Sequence, residues 1–119
     1  MLIHPGDLYW IQLEGRDVVH PHVVIQENAD NHGRVTAVVV AALTTNMKRI
    51  DLPGNVLLEA GEANLPKQSI VAVSQVFTVE VGQLGEYIGT LSKERLNQIL
   101  AGTHFVQRMS AHTAVRRNS

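Results

Sequence analysis

The stretch that decides the fold is residues 20–43, HPHVVIQENADNHGRVTAVVVAAL. Two β-branched apolar runs, 20–27 and 35–43, flank the cluster NADNHG, a pattern typical of a β-hairpin with a long loop. The second run is almost continuously apolar, which predicts a central strand covered on both faces. Pro21 cannot lie inside a central strand, so it marks the start or the edge of the first one. The stretch therefore predicts the middle of an antiparallel sheet with histidines at its rim.

Further strands and one helix surround this hairpin. Apolar runs bounded by glycine, proline or polar clusters predict strands over residues 7–13, 55–59, 69–80 and 87–91. After them Ser92 is a good helix N-cap, and an apolar stripe follows at helical spacing: Leu96, Ile99, Leu100, Thr103 and Val106 or Gln107. Five or six strands and then one helix predict a mainly β protein, a small curved antiparallel barrel with a packed C-terminal helix.

Length and composition favour a single globular domain. The chain has 119 residues, 45% of them hydrophobic, and this suffices for one core. The sequence from Ser110 is polar and ends in basic residues, so we expect a domain over 1–109 and a flexible tail over 110–119. The chain has no cysteine, no signal pattern in 1–20 and no membrane-length apolar run, which favours a cytoplasmic protein without membrane contact. A net charge of −1 argues against a broad basic surface for nucleic acid but leaves room for a small basic patch.

His20 and His22 lie two residues apart and so project from the same face of a strand. Histidine can both take and give a proton near neutral pH, which suits acid–base chemistry. A zinc site needs three or four ligands, and neither His4 nor His32 completes a known ligand motif, so we expect no metal and no cofactor; a histidine-ligated metalloprotein is the weaker alternative. We expect His22 to pack or hydrogen-bond within the barrel and His20 to be functional.

Two polar segments follow or interrupt apolar strands. Residues 44–49, TTNMKR, combine hydroxyls, an amide and two cations, which are groups that bind phosphate oxygens and base edges; a solvated loop is the alternative. In residues 75–80, QVFTVE, alternation places Gln75 and Phe77 on one face, and core packing is favoured over base stacking for Phe77. Single-stranded RNA is read by such polar groups together with stacking surfaces. The sequence shows neither a nucleophile elbow nor a glycine-rich phosphate loop.

Five segments, in this order, resemble the MazF/PemK family of toxins from toxin–antitoxin modules, over roughly residues 5–108. They are GDLYWIQL at 6–13, HPHVVI at 20–25, VVVAALT at 38–44, SIVAVSQVFTVE at 69–80 and GTLSKERLNQIL at 89–100. The resemblance implies an SH3-like antiparallel barrel of the MazF/CcdB type that forms a homodimer. It also implies metal-independent cleavage of single-stranded RNA, by 2′-hydroxyl attack on the adjacent phosphate, and neutralisation by a cognate antitoxin protein. That reaction needs proton transfer and stabilisation of the phosphorane.

Two positions depart from the family pattern, since His20 and Phe77 replace its two arginines. The resemblance makes His20 the proton-transfer residue and Thr44 the residue that holds the scissile phosphate. It also predicts residues that bind the RNA: Asn46, Lys48, Arg49, Gln75 and Thr78. Losing two permanent cations also permits an alternative, a non-enzymatic barrel that binds a partner protein or inhibits a target without cleaving RNA.

Overall fold

The computed structural model describes residues 2–13, 15 and 17–117, with side chains described as far as Ser110. It contains the strands β1 (Asp7–Ile11), β2 (His20–Ala29), β3 (Val35–Thr44), β4 (Val56–Leu58), β5 (Ser69–Glu80) and β6 (Tyr87–Thr90), followed by the helix α1 (Lys93–Arg117). Single helical turns of the 3₁₀ type lie at Met47–Asp51, Glu62–Asn64 and Val81–Gln83. Every predicted strand is present, and the ends differ from the prediction by two residues at most.

The six strands form one antiparallel sheet in the order β4-β5-β3-β2-β1-β6. The hairpin of β2 and β3 lies in the middle of the sheet, as its sequence predicts. The sheet curls into a half-barrel, and in the described part of the chain the edge strands β4 and β6 do not pair with each other. The predicted class, mainly antiparallel β with a C-terminal helix, is confirmed.

Both faces of the sheet are covered by apolar side chains. The cluster between the sheet and α1 consists of Leu8, Val23, Ala41, Leu43, Leu58, Leu65, Val71, Val73, Leu91 and Ile99. The opposite face is made of Ile3, Tyr9, Ile11, Val24, Val38, Val40 and Val79. Full burial of one such aliphatic side chain stabilises the fold by about 1.5–3 kcal/mol. Strand β3 supplies residues to both faces, which explains why its sequence is continuously apolar and confirms the prediction of a doubly covered strand.

Helix α1 begins where the sequence predicts. The Ser92 hydroxyl accepts a hydrogen bond of 3.2 Å from the Arg95 N–H, and so caps the first turn. Ile99 and Thr103 are buried, and the Thr103 hydroxyl donates to the Ile99 carbonyl at 2.9 Å. Gly102 is buried against Gly54, so closely that a Cβ atom on either glycine would collide with the carbonyl of the other. The helix and the turn before β4 therefore meet backbone to backbone.

The helix continues to Arg117, beyond residue 109, where the sequence predicts that the domain ends. Residues 118 and 119 of the predicted tail lie outside the described residues, and the division of the chain at 109 stays a prediction. No helix in the described part of the chain is long and apolar enough to cross a membrane.

Candidate active site

A bulge in β5 shapes the end of the sheet where the candidate residues meet. Ala42 pairs with Ala72 and the preceding residue, Ala41, pairs with Val76, so residues 73–75 have no partner residues in β3. A bulge bends its strand and redirects side chains, and bulges are frequent beside active sites. Here it places Gln75 at the end of the sheet where β2 starts and β3 ends.

A pocket of about 160 Å³ lies at this end of the sheet. Its polar lining consists of His20, His22, Thr44, Arg49 and Gln75, and its apolar lining of Ile11, Leu13, Val18, Ala42, Leu43 and Phe77. Four of the seven predicted site residues, His20, Thr44, Arg49 and Gln75, therefore share one pocket although they come from three separate segments of the sequence. Among the described lining residues Arg49 carries the permanent positive charge.

The pairing of β2 with β3 brings His20 and Thr44 to the same rim. His22 pairs with Ala42, so continuing this antiparallel register by two residues places His20 opposite Thr44. The Thr44 hydroxyl accepts a hydrogen bond of 3.1 Å from the Asn46 N–H, which leaves its own hydrogen available to donate. His20 is exposed. An imidazole and a hydroxyl donor thus stand on one face at the mouth of the pocket.

His22 has a different environment from His20. It is 1% exposed, and its Nδ1 atom donates a hydrogen bond of 2.8 Å to the His20 carbonyl. A carbonyl only accepts, so this bond requires the hydrogen to lie on Nδ1. The His22 ring also lies tilted against Phe77, with centroids 6.4 Å apart. The prediction that His22 packs and hydrogen-bonds within the barrel is confirmed.

The turn Met47–Asp51 carries Arg49 to the pocket. Asn46 caps this turn, since its Oδ1 atom accepts a hydrogen bond of 3.2 Å from the Lys48 N–H. Arg49 is half-buried and lines the pocket, whereas Lys48 is exposed and lies outside it. The segment is therefore more than a solvated loop, because one of its two cations lies at the site.

Asn55 is a residue of the site that sequence reasoning missed. It precedes β4, and its side chain joins the Arg49 turn to the bulge of β5. Its Nδ2 atom donates to the Arg49 carbonyl at 2.8 Å, and its Oδ1 atom accepts from the Val73 N–H at 3.1 Å. The only local signal is a Pro53-Gly54-Asn55 sequence, which is typical of any turn.

Three predicted RNA-binding residues do not line the pocket: Asn46, Lys48 and Thr78. Asn46 builds the Arg49 turn. Thr78 pairs with Val39 and is exposed, one position along β5 from Phe77 and so on the other face of the strand. Their contacts with RNA stay predictions. Among the side chains described up to Ser110, no three His, Asp or Glu residues are grouped as metal ligands would be.

Comparisons with known proteins point to one family. The model of PemK-like, MazF-like toxins of type II toxin–antitoxin systems matches residues 4–105. Endoribonuclease MazF6 of Mycobacterium tuberculosis is 29% identical over 107 residues, covering 86% of this chain and 94% of the relative. Endoribonuclease EndoA of Bacillus subtilis is 27% identical over 104 residues, covering 83% of this chain and 89% of the relative.

Solved structures share the fold. One described as an endoribonuclease in complex with its cognate antitoxin, from a mycobacterial species, superimposes with a TM-score of 0.69 at 24% identity, covering 86% of this chain and 91% of that one. The Mycobacterium tuberculosis toxin MazF-mt6 superimposes with a TM-score of 0.62 at 24% identity, covering 84% and 92%. Because the family match spans the sheet and the first half of α1, the chain belongs to the PemK-like, MazF-like toxins of type II toxin–antitoxin systems.

Proposed function

We propose that this protein is the toxin of a toxin–antitoxin module, an endoribonuclease that cleaves single-stranded RNA without a metal ion. The observation that carries the proposal is the convergence of His20, Thr44, Arg49 and Gln75 on one pocket in a chain of this family. The names of the curated relatives, endoribonucleases, support the activity. The solved complex of a structural neighbour with its antitoxin supports a protein partner that holds the toxin inactive. We expect the toxin to act in the cytoplasm as a homodimer.

The reaction we propose transfers a phosphoryl group within the RNA, from the 5′-oxygen of one nucleotide to the 2′-oxygen of the nucleotide before it. The 2′-oxygen bonds to the adjacent phosphorus, and the bond from phosphorus to the 5′-oxygen of the next nucleotide breaks. One proton leaves the 2′-hydroxyl and one reaches the 5′-oxygen, so the products are a 2′,3′-cyclic phosphate and a free 5′-hydroxyl. We assign His20 to this proton transfer because its exposed imidazole stands at the mouth of the pocket.

The other polar groups hold the phosphate. The Thr44 hydroxyl, whose hydrogen is available, donates to a phosphate oxygen, and the Arg49 guanidinium offsets the charge that builds up on the phosphorane. The Gln75 amide donates to a neighbouring oxygen or base edge. The missing family arginines at positions 20 and 77 are thus offset by a cation from another segment, the Arg49 turn. Phe77 and its apolar neighbours form a surface on which a base can stack.

The test is a cleavage assay on defined single-stranded RNA in EDTA, with the chemical ends of the products identified. We expect cyclic phosphate and 5′-hydroxyl ends from the wild type. Removing a proton-transfer group typically lowers the rate by about 10²–10⁴-fold, so His20→Ala should lose this much. RNA left uncut at several pH values would contradict the enzyme and favour the non-enzymatic barrel.

The His20→Arg variant separates two roles for this position. If the site needs a proton shuttle, arginine fails there, because its guanidinium does not titrate in the working range. His20→Arg should then lose about as much activity as His20→Ala. Full activity of His20→Arg at every pH would mean that the position needs only a cation. Full activity of His20→Ala would contradict the assignment altogether.

A further inference from the structure

We infer that Asn55 is a positioning residue of the cleavage site, which sets Arg49 relative to the β5 bulge that carries Gln75. The inference rests on the proposed function, because it concerns how the pocket of that reaction is held in shape. Asn55 does not line this pocket and need not touch RNA. Its effect passes through two backbone groups, the Arg49 carbonyl and the Val73 N–H.

The two hydrogen bonds of the Asn55 side chain use both ends of its amide. Nδ2 donates to the Arg49 carbonyl at 2.8 Å and Oδ1 accepts from the Val73 N–H at 3.1 Å, both partly buried. Val73 is the first residue of the bulge, where β5 loses its pairing with β3. Strand β4 pairs with β5 from Val56 to Leu58. The bond from the Val73 N–H to the Asn55 side chain adds one further link between the two segments, just before β4 begins. The amide thus ties the bulge to the turn directly.

Asn55 is itself firmly placed. Its own N–H donates to the Leu52 carbonyl at 3.2 Å, and the residue before it, Gly54, abuts Gly102 of α1. The Leu52 N–H donates to the Arg49 carbonyl at 3.2 Å, so that carbonyl accepts two hydrogen bonds. The backbone of Arg49 is therefore held between its own turn and a residue anchored on the helix. A guanidinium on a fixed backbone loses less freedom when it binds a phosphate oxygen.

The chemistry of the amide suggests a selective variant. In Asn55→Asp the carboxylate still accepts from the Val73 N–H, but it has no hydrogen to donate to the Arg49 carbonyl. The change therefore breaks the tie to the turn and spares the tie to the bulge. Asn64→Asp is the matched control, because Asn64 also donates from Nδ2 to a backbone carbonyl, that of Ile88 at 3.1 Å, away from the pocket. Both variants lose one amide–carbonyl bond and gain one negative charge.

The experiment measures kcat and KM on a defined RNA, and binding of the same RNA with a 2′-deoxy nucleotide at the cleavage site over a range of salt. We expect Asn55→Asp to lose about tenfold or more in kcat/KM, as misplaced groups commonly do, and Asn64→Asp to stay near the wild type. In Asn55→Asp the slope of log affinity against log salt should become shallower by about 0.7, which is the contribution of one phosphate contact on single-stranded RNA. A merely structural role would not move this slope.

A double variant tests whether Asn55 acts through Arg49. If it does, adding Asn55→Asp to Arg49→Ala should change kcat/KM little further, because the contact that Asn55 organises is already gone. A general effect of the new charge would persist in the Arg49→Ala background. Multiplicative losses in the double variant, or equal losses in Asn55→Asp and Asn64→Asp, would overturn the inference.

The same set distinguishes failure of the inference from failure of the proposed site. Wild-type protein that leaves the RNA uncut would remove the proposed function. Arg49→Ala that cleaves like the wild type would keep the nuclease and remove both the role of Arg49 and the inference built on it. If Arg49→Ala is impaired while Asn55→Asp is fully active, the proposed site stands and the role of Asn55 is wrong. If thermal unfolding shows that Asn55→Asp does not fold, Asn55→Ser takes its place in the same comparison with Arg49→Ala.

Discussion

The Nδ1 atom of His22 donates a hydrogen bond of 2.8 Å to the backbone carbonyl of His20. The two histidines thus differ in kind, since one is buried and fixed while the other is exposed at the rim of the pocket. The bond fixes the backbone at the start of β2, at His20, the residue assigned to proton transfer. His22 supports the site by fixing the strand that presents His20.

We expect His22→Asn to be more stable than His22→Ala. The asparagine Nδ2 atom lies near the position of Nδ1 and can still donate to the His20 carbonyl, whereas alanine leaves that carbonyl without its donor and a cavity beside Phe77. The alanine variant should lose about 2–4 kcal/mol in the free energy of unfolding. Urea unfolding of both variants measures the difference, and equal losses would contradict the role given to the bond.

Arg49→Ala should weaken RNA binding and cleavage far more than Lys48→Ala. The two cations are neighbours in sequence, but Arg49 lines the pocket and Lys48 does not. Loss of one phosphate contact should make the salt slope of binding shallower by about 0.7 in Arg49→Ala. Equal effects of the two substitutions would mean that RNA binding depends only on the net charge of the segment.

Thr44→Val should lower kcat by about 10²–10³-fold, the usual effect of removing one donor to a developing oxyanion. Valine keeps the shape of threonine and removes the hydroxyl. Thr44→Ser keeps the hydroxyl and should retain most of the activity. Because the hydroxyl also accepts the Asn46 N–H, thermal unfolding must show that Thr44→Val is folded. A Thr44→Val enzyme as active as Thr44→Ser would exclude a contact between this hydroxyl and the phosphate.

Glu62 should make the stability of the fold depend on pH through its ion pair with Arg95. Burial raises the pKa of Glu62, but the hydrogen bonds from Arg95 and from the Glu59 N–H, with the charge of Arg95, outweigh it and hold the pKa below 4.5. A lowered pKa in the folded state adds stability that is complete above 4.5 and is lost as the pH falls through the folded-state pKa.

Glu62→Gln should therefore lower the free energy of unfolding by about 1 kcal/mol at pH 7. The difference from the wild type should shrink as the pH falls below 4.5, where the wild-type carboxylate also becomes neutral. Urea unfolding between pH 3 and pH 7, roughly the range over which carboxylates titrate, measures both effects. Glu86→Gln, a substitution at an exposed residue, is the control and should show neither.

The sequence predicts the strands well because their apolar runs are short and bounded by turn residues. It predicts the faces of β5 less well. Uniform alternation through this strand would put Val71 and Phe77 on the same face, yet Val71 packs toward α1 and Phe77 packs on the opposite face. The bulge at residues 73–75 resets the alternation, and no residue type in that segment marks it.

The candidate site could be predicted only in part for a similar reason. The family resemblance leads to His20, Thr44 and Gln75, but which of Lys48 and Arg49 faces the pocket depends on the phase of a one-turn helix. Asn55 reaches Val73, 18 residues away, at the point where β5 loses its pairing with β3. Contacts of this kind follow from tertiary geometry rather than from local pattern.

Gly102 shows how far the requirements of the site extend into the helix. A glycine inside a helix is less favourable than alanine by about 1 kcal/mol, so α1 would be more stable in isolation with alanine at this position. Alanine would push α1 away from Gly54, the residue next to Asn55. The helix thus gives up intrinsic stability at one position so that the turn before β4, which it contacts directly, keeps its place. A substitution at Gly102, which does not line the pocket, can therefore change the rate of RNA cleavage.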